Sequence, residues 1–114
     1  MKAHDFVERG EAAMVVYTDG SNLVIEGDGS GQISDLAINI NMEVEKVIIY
    51  WDEDDGAPAI YTARYAGVES YEGGDGFTVL FDAAEYEGDP EGDWYDFAPG
   101  AAYDVQYIQP APPA

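Results

Sequence analysis

Apolar residues fall in short runs separated by glycine, asparagine and aspartate, and within most runs the period is two. "AMVVY" (13–17) leads into Asp19-Gly20, a dipeptide that favours hairpins, and then into "NLVIE" (22–26). From Leu36 the alternation is strict. Leu36, Ile38, Ile40, Met42 and Val44 share one side, and Asn39, Asn41, Glu43 and Glu45 the other, as in a half-buried strand. "VIIYW" (47–51) is apolar at every position, so the register changes near Lys46 and a bulge or turn is expected over 43–46. Further strands are predicted at 59–67, at 77–81, at "WYDF" (94–97) and at 102–108, with 52–58 and the acidic stretch 82–93 as loops. Only residues 2–13 have room for a helix, and Phe6, Val7 and Ala13 make a sparse stripe.

These elements predict an all-β chain: one β domain over 1–108, with 1–12 an extended arm or short helix. The Pro-rich tail 109–114, "QPAPPA", is expected to be extended. A chain of 114 residues fits one domain and can bury about two-thirds of its surface. Its 46% hydrophobic content supplies a core, which argues against disorder.

Charge changes the picture more than hydrophobicity does. Twenty-four Asp and Glu face four cations, Lys2, Arg9, Lys46 and Arg64, giving a formal net charge of −20. Repulsion on that scale destabilises a compact chain and is relieved when salt shortens the Debye length to about 3 Å at 1 M. The acids are spread along the chain, not gathered in a tail, and the composition resembles that of extreme-halophile proteins. Four scattered cations offer no patch for nucleic acid or an anionic membrane. The absence of cysteine removes disulfides, thiol nucleophiles and Cys-based zinc sites. The start, with Asp5, Glu8 and Glu11, lacks the apolar stretch of a signal peptide.

The segment "FAPGAAYDVQYI" resembles the end of an immunoglobulin-like or fibronectin type III sandwich, where Pro-Gly precedes Tyr-x-Val at the corner entering strand F. Phe97, Pro99, Gly100, Tyr103, Val105 and Tyr107 hold those places. The resemblance implies a tyrosine corner at Tyr103, whose hydroxyl would bond backbone upstream. "VIIYWDEDDGAPAIYTARYAG" is similar to that family's B–C hairpin, with Trp51 ending its first strand. The likeness covers 47–108 and implies a small immunoglobulin-like β-sandwich. Another small antiparallel sandwich or barrel is the alternative. The prolines after Ile108 stand where the family's strand G would run, which leaves an edge for an N-terminal strand or a partner chain.

Candidate chemistry is sparse. "EGDGSGQISDLA" (26–37) has Asp28, Ser30 and Gly31 where an EF-hand loop has ligands and its sharp turn. Its closing position is Ala37, not a bidentate Glu, and strand patterns flank it. It is expected to be a turn between strands. Asp52, Asp54 and Asp55 are candidate cation ligands at a loop tip. His4 is the only histidine, and no serine has a base beside it in the sequence, so no catalytic residue and no cofactor is assigned. Tyr71, Tyr86, Trp94 and Tyr95 lie in or beside predicted loops, where aromatics often anchor contacts.

Together these features predict a non-catalytic structural or interaction protein adapted to high salt. The concrete version is a virion component (head decoration, turret or tail) of a tailed virus of halophiles, partnered by itself or by other structural proteins. The alternatives are a carbohydrate- or ion-binding module using the 52–55 loop or the Trp94–Tyr95 region, and an accessory subunit in the cytoplasm of an extreme halophile.

Overall fold

A computed structural model describes residues 2–8, 10–38, 43–52, 57–74, 76–90, 92–99, 101 and 104–108. It is all-β apart from two short helical turns. The strands are β1 (Ala13–Thr18), β2 (Leu23–Ile25), β3 (Gly31–Leu36), β4 (Lys46–Trp51), β5 (Ala59–Ser70), β6 (Phe77–Gly88) and β7 (Val105–Ile108). They form one seven-stranded sheet in the order β2-β3-β6-β5-β4-β1-β7. All pairs are antiparallel except β1 with β4, which run parallel from Ala13 beside Lys46 to Thr18 beside Trp51.

That parallel pair explains the two runs that lack alternation. "AMVVY" and "VIIYW" are apolar at successive positions because β1 and β4 are covered on both faces. On one face Met14, Val16, Val47 and Ile49 meet Ile33, Leu36, Val79 and Phe81 from the far half of the sheet, so the sheet curls around a single core. On the other face Ala13, Val15, Ile48, Tyr50 and Ile60 are roofed by a 3-10 turn, Ala3–Phe6, and by a one-turn helix, α1 (Trp94–Phe97).

The curl depends on bulges. Thr62 pairs with Glu85 and Arg64 with Asp82, so Ala83 and Ala84 together oppose Ala63. Ala83 sits at φ 55°, a strained conformation for a residue with a Cβ. The 26–30 turn docks on this bulge, with the Ala84 amide donating to the Gly29 carbonyl at 2.9 Å. Gly29 has φ 89°. At Gly31 a Cβ would collide with the Val24 carbonyl oxygen. These glycines let a tight hairpin lie against the ribbon. Asp28 closes it, accepting from the Ser30 amide and hydroxyl at 3.0 and 2.6 Å, bonds that hold its carboxyl below the usual range.

Several elements differ from expectation. "WYDF" is a helical turn and not a strand. Asp93 caps it by accepting from the Asp96 amide at 2.9 Å, and the i, i+3 spacing buries Trp94 and Phe97 together. Residues 82–88 continue β6 and are not loop; the bulge shifts the phase there and hides the alternation. Asp19-Gly20 does not join paired strands, because β1 lies between β4 and β7 while β2 pairs only with β3. Gly20 instead turns the chain beneath the Trp51 indole. Among the described residues of 2–12 the helical part is the turn Ala3–Phe6, and Ala13 begins β1. Of the strand expected over 36–44, β3 includes only Leu36 among the described residues, and 37, 38, 43 and 44 lie outside strands. Leu36 and Val44 are nevertheless buried and Ile38 packs on the core, while Ile40 and Met42 lie outside the described residues. The β4–β5 hairpin forms as expected, with Trp51 opposite Ala59.

Candidate functional site: an aromatic cleft rimmed by carboxylates

Parallel pairing of β1 and β4 places Tyr17 directly beside Tyr50. Their rings stack with centroids 5.8 Å apart, and Trp94 from α1 meets both, at 5.7 and 5.8 Å. Phe97 continues the cluster inward, 5.6 Å from Tyr50. Such pairs add about 0.5–1.5 kcal/mol each beyond simple burial. The cluster floors a cleft of about 350 Å³ lined by Tyr17, Tyr50, Asp52, Asp93, Trp94, Tyr95 and Asp104.

Backbone bonds set the rim. The Asp52 amide donates to the Thr18 carbonyl at 2.8 Å, and the Tyr17 amide donates to the Asp104 carbonyl at 2.8 Å. The backbones of both residues are thereby anchored to β1. Asp93 is held by capping α1, and the Tyr50 hydroxyl donates to the Gly92 carbonyl at 2.7 Å. The Tyr17 hydroxyl donates to Asp52 Oδ2 at 2.9 Å. Trp94 is buried, whereas Tyr95 is 65% exposed and stands at the mouth.

The carboxylates shape the phenols. The hydrogen bond to Asp52, followed by burial, pushes the Tyr17 hydroxyl up to about 12. Burial, followed by the charges of Asp52, Asp93, Asp89 and Asp96, pushes Tyr50 to about 12. Unfolded, both titrate near 10.0. Between these values the unfolded chain releases protons that the folded protein keeps, so this contribution to stability is complete below pH 10 and is lost as pH rises toward 12. Urea unfolding from about pH 9 to about pH 12 is expected to show that decline, and the Tyr17→Phe/Tyr50→Phe double variant a flatter one. An unchanged slope in the double variant would assign the decline to other groups.

The cleft unites two regions that lie far apart in the sequence: Asp52 from the acidic loop, and Trp94 with Tyr95. Asp54 and Asp55 lie outside the described residues. Trp94 corrects the expectation of an exposed aromatic: it is core, and Tyr95 is its solvent-facing neighbour. Tyr86 is 63% exposed on β6 but sits 5.5 Å from Tyr61, which stands 6.1 Å from Trp51. Those rings border a second, apolar groove with Leu23, Val24 and Ile25. Tyr71 is half-buried in the β5–β6 turn, against Gly73. Of the expected corner, Phe97 is fully buried and Pro99 exposed, and Gly100 and Tyr103 lie outside the described residues. Sequence reasoning missed Tyr17, Tyr50 and Asp104; the signal for them was the parallel register, which no local pattern announces.

Among the described residues, the lining carries phenol, indole and carboxylate groups, and its carboxylates are suited to accepting hydrogen bonds and holding positive charge. Among the described residues, no three His, Asp or Glu side chains converge on a single metal-sized point, and no helix is long and apolar enough to cross a membrane. No protein-family model matches the chain, and no curated protein or solved structure matches it either.

Proposed function

We propose that the protein is a non-catalytic interaction domain that works in concentrated salt, in its concrete form a structural component of a virion infecting halophiles. The carrying observation is how its cations are used. Lys2 Nζ donates to the Asp96 carbonyl at 3.0 Å, and Lys46 Nζ lies 2.6 Å from the Phe6 carbonyl oxygen and 2.9 Å from Glu11. Arg64 grips Asp82 at 2.7 and 2.9 Å. The three described cations thus fasten the chain to itself, and the surface offered to partners is dominated by carboxylates. Two such surfaces associate only where salt screens their repulsion. The edges at β2 and β7, with the aromatic cleft, supply places for contact.

A second form of the proposal, a carbohydrate- or ion-binding module, is favoured by the meeting of Asp52 with Trp94 and Tyr95 in one cleft. An immunoglobulin-like sandwich is the finer form of the fold we propose, supported by the β4–β5 hairpin. Light scattering and sedimentation across a salt series test the assembly. An oligomer or larger particle is expected at ~3 M salt, dissociating on dilution. A strictly monomeric species at that salt would remove self-assembly, and neighbouring genes without capsid, portal or tail proteins would remove the virion assignment.

A further inference from the structure

We propose that the cleft between β1, β4 and α1 is a receptor for an arginine side chain of a partner protein. This rests on the interaction role proposed above and names the group that fills the site. Three features converge. The floor is aromatic: buried Trp94 and Tyr50 support the half-buried Tyr17 ring, and Tyr17 with the exposed Tyr95 provides the ring surface that attracts a cation. The rim carries Asp52, Asp93 and Asp104 on three different segments, with Tyr95 exposed at the mouth. The opening, about 350 Å³, is the size of an organic ligand site. Carboxylates spread around such an opening suit a broad, delocalised cation better than a bare metal ion, which needs six to eight oxygens drawn to a single point.

Salt selects further. At ~2 M the Debye length is below about 3 Å, so long-range attraction to an acidic surface is lost and only desolvated, directional contacts persist. Guanidinium is planar and weakly hydrated, stacks on aromatic rings and bonds carboxylate through two parallel N–H groups. An ammonium is compact and strongly hydrated, and competes poorly with the potassium or sodium around it. The source of the arginine lies outside this chain's described cations. Arg64 is engaged by Asp82, Lys46 by Glu11 and Phe6, and Lys2 by Asp96.

The test uses the full chain in ~2 M KCl and follows the indole N–H resonances of Trp94 and Trp51 by NMR. Trp51 is half-buried against the core on the opposite side of the sheet, beside the second groove, and serves as the internal control. The probes are blocked arginine (N-acetyl-arginine N-methylamide), the corresponding blocked lysine and blocked citrulline, and methylguanidinium. Blocked arginine and methylguanidinium are expected to shift Trp94 saturably, with dissociation constants on the order of 1 mM. Lysine should bind at least about fivefold more weakly, and uncharged citrulline not at all. Asp52→Asn and Asp104→Asn are each expected to weaken arginine binding about three- to tenfold, and Tyr95→Ala by a similar factor. Tyr61→Ala on the opposite face should leave it unchanged.

Asp104 and Tyr95 are exposed, so their variants keep the fold and the test remains decisive if Asp52→Asn is destabilised. Absence of a saturable Trp94 shift with arginine, equal binding of citrulline, or rim variants that bind as well as the parent would each overturn the proposal. Two further results separate the claims. Salt-dependent assembly with no arginine binding would remove the receptor and leave the interaction role. Arginine binding without any association with protein would leave a small-molecule site and remove the partner.

Discussion

On transfer from molar salt to ~0.1 M, the thermal midpoint is expected to fall by roughly 20 °C. The charge balance of 24 acids against four cations gives the sign. The described cations are already bonded to neighbours, so they neutralise local charges and leave most of the acidic surface uncompensated. Between ~3 M and ~0.1 M the Debye length grows from under 3 Å to about 10 Å, and carboxylates on adjacent turns and strands begin to repel one another. A loss of about 3–5 kcal/mol to that repulsion corresponds to such a shift, at roughly 4–8 °C per kcal/mol for a domain of this size. Melts followed by circular dichroism in KCl and in NaCl would check it. A midpoint independent of both salts would remove the high-salt adaptation.

Phe97→Ala is expected to be the most damaging single substitution, at about 3–5 kcal/mol. Phe97 is fully buried, and its ring lies 5.6 Å from Tyr50 and 6.3 Å from Phe6. It therefore joins the β4 face, the N-terminal turn and α1 at a single point. Truncation leaves a cavity that one helical turn cannot close, since α1 spans only Trp94–Phe97 and has no neighbouring turn to shift with it. Trp94 and the cleft floor should loosen with it. Tyr95→Ala, two residues away and exposed, is the control and should change stability by no more than ~0.5 kcal/mol. Urea is the appropriate denaturant, because guanidinium chloride is itself a salt. A Phe97→Ala loss below ~1 kcal/mol would show that the helical roof contributes little to the sheet.

Strand identity was legible wherever one face meets solvent or where β-branched residues run together. The hairpin of β4 with β5 and the strand at Phe77 could be read from pattern alone. What failed depends on distant pairing. Asp19-Gly20 has hairpin chemistry, but β1 is claimed from both sides by β4 and β7, leaving no edge for β2. "WYDF" has the aromatic content of a strand, and the competing signal was Asp93 positioned to cap a turn. Period two would have buried Trp94 beside Asp96; the helical spacing buries Trp94 with Phe97 and leaves Asp96 outside. The glycines of "EGDGSG" mark a tight turn, as expected, while the Ala83–Ala84 bulge that receives it was invisible. The cleft was half legible: Asp52, Trp94 and Tyr95 stood out as residues, but only the register of Tyr17 with Tyr50 shows that they belong together.

The position of β1 also governs how the molecule must come into being. Its backbone is hydrogen-bonded on one side to β4 and on the other to β7, with Val16 opposite Val105 near the other end of the chain. A nascent chain emerging from the ribosome can close the β5–β6 hairpin early, since those strands are neighbours in sequence. It cannot complete the pairing of β1 until residues 105–108 have been made. Contacts this remote in sequence slow the search for the native state and leave an unpaired apolar segment exposed meanwhile. In dilute salt the dense negative charge would keep such unfinished chains apart; in concentrated salt that repulsion is screened, and rapid closure of the sheet is what protects the segment.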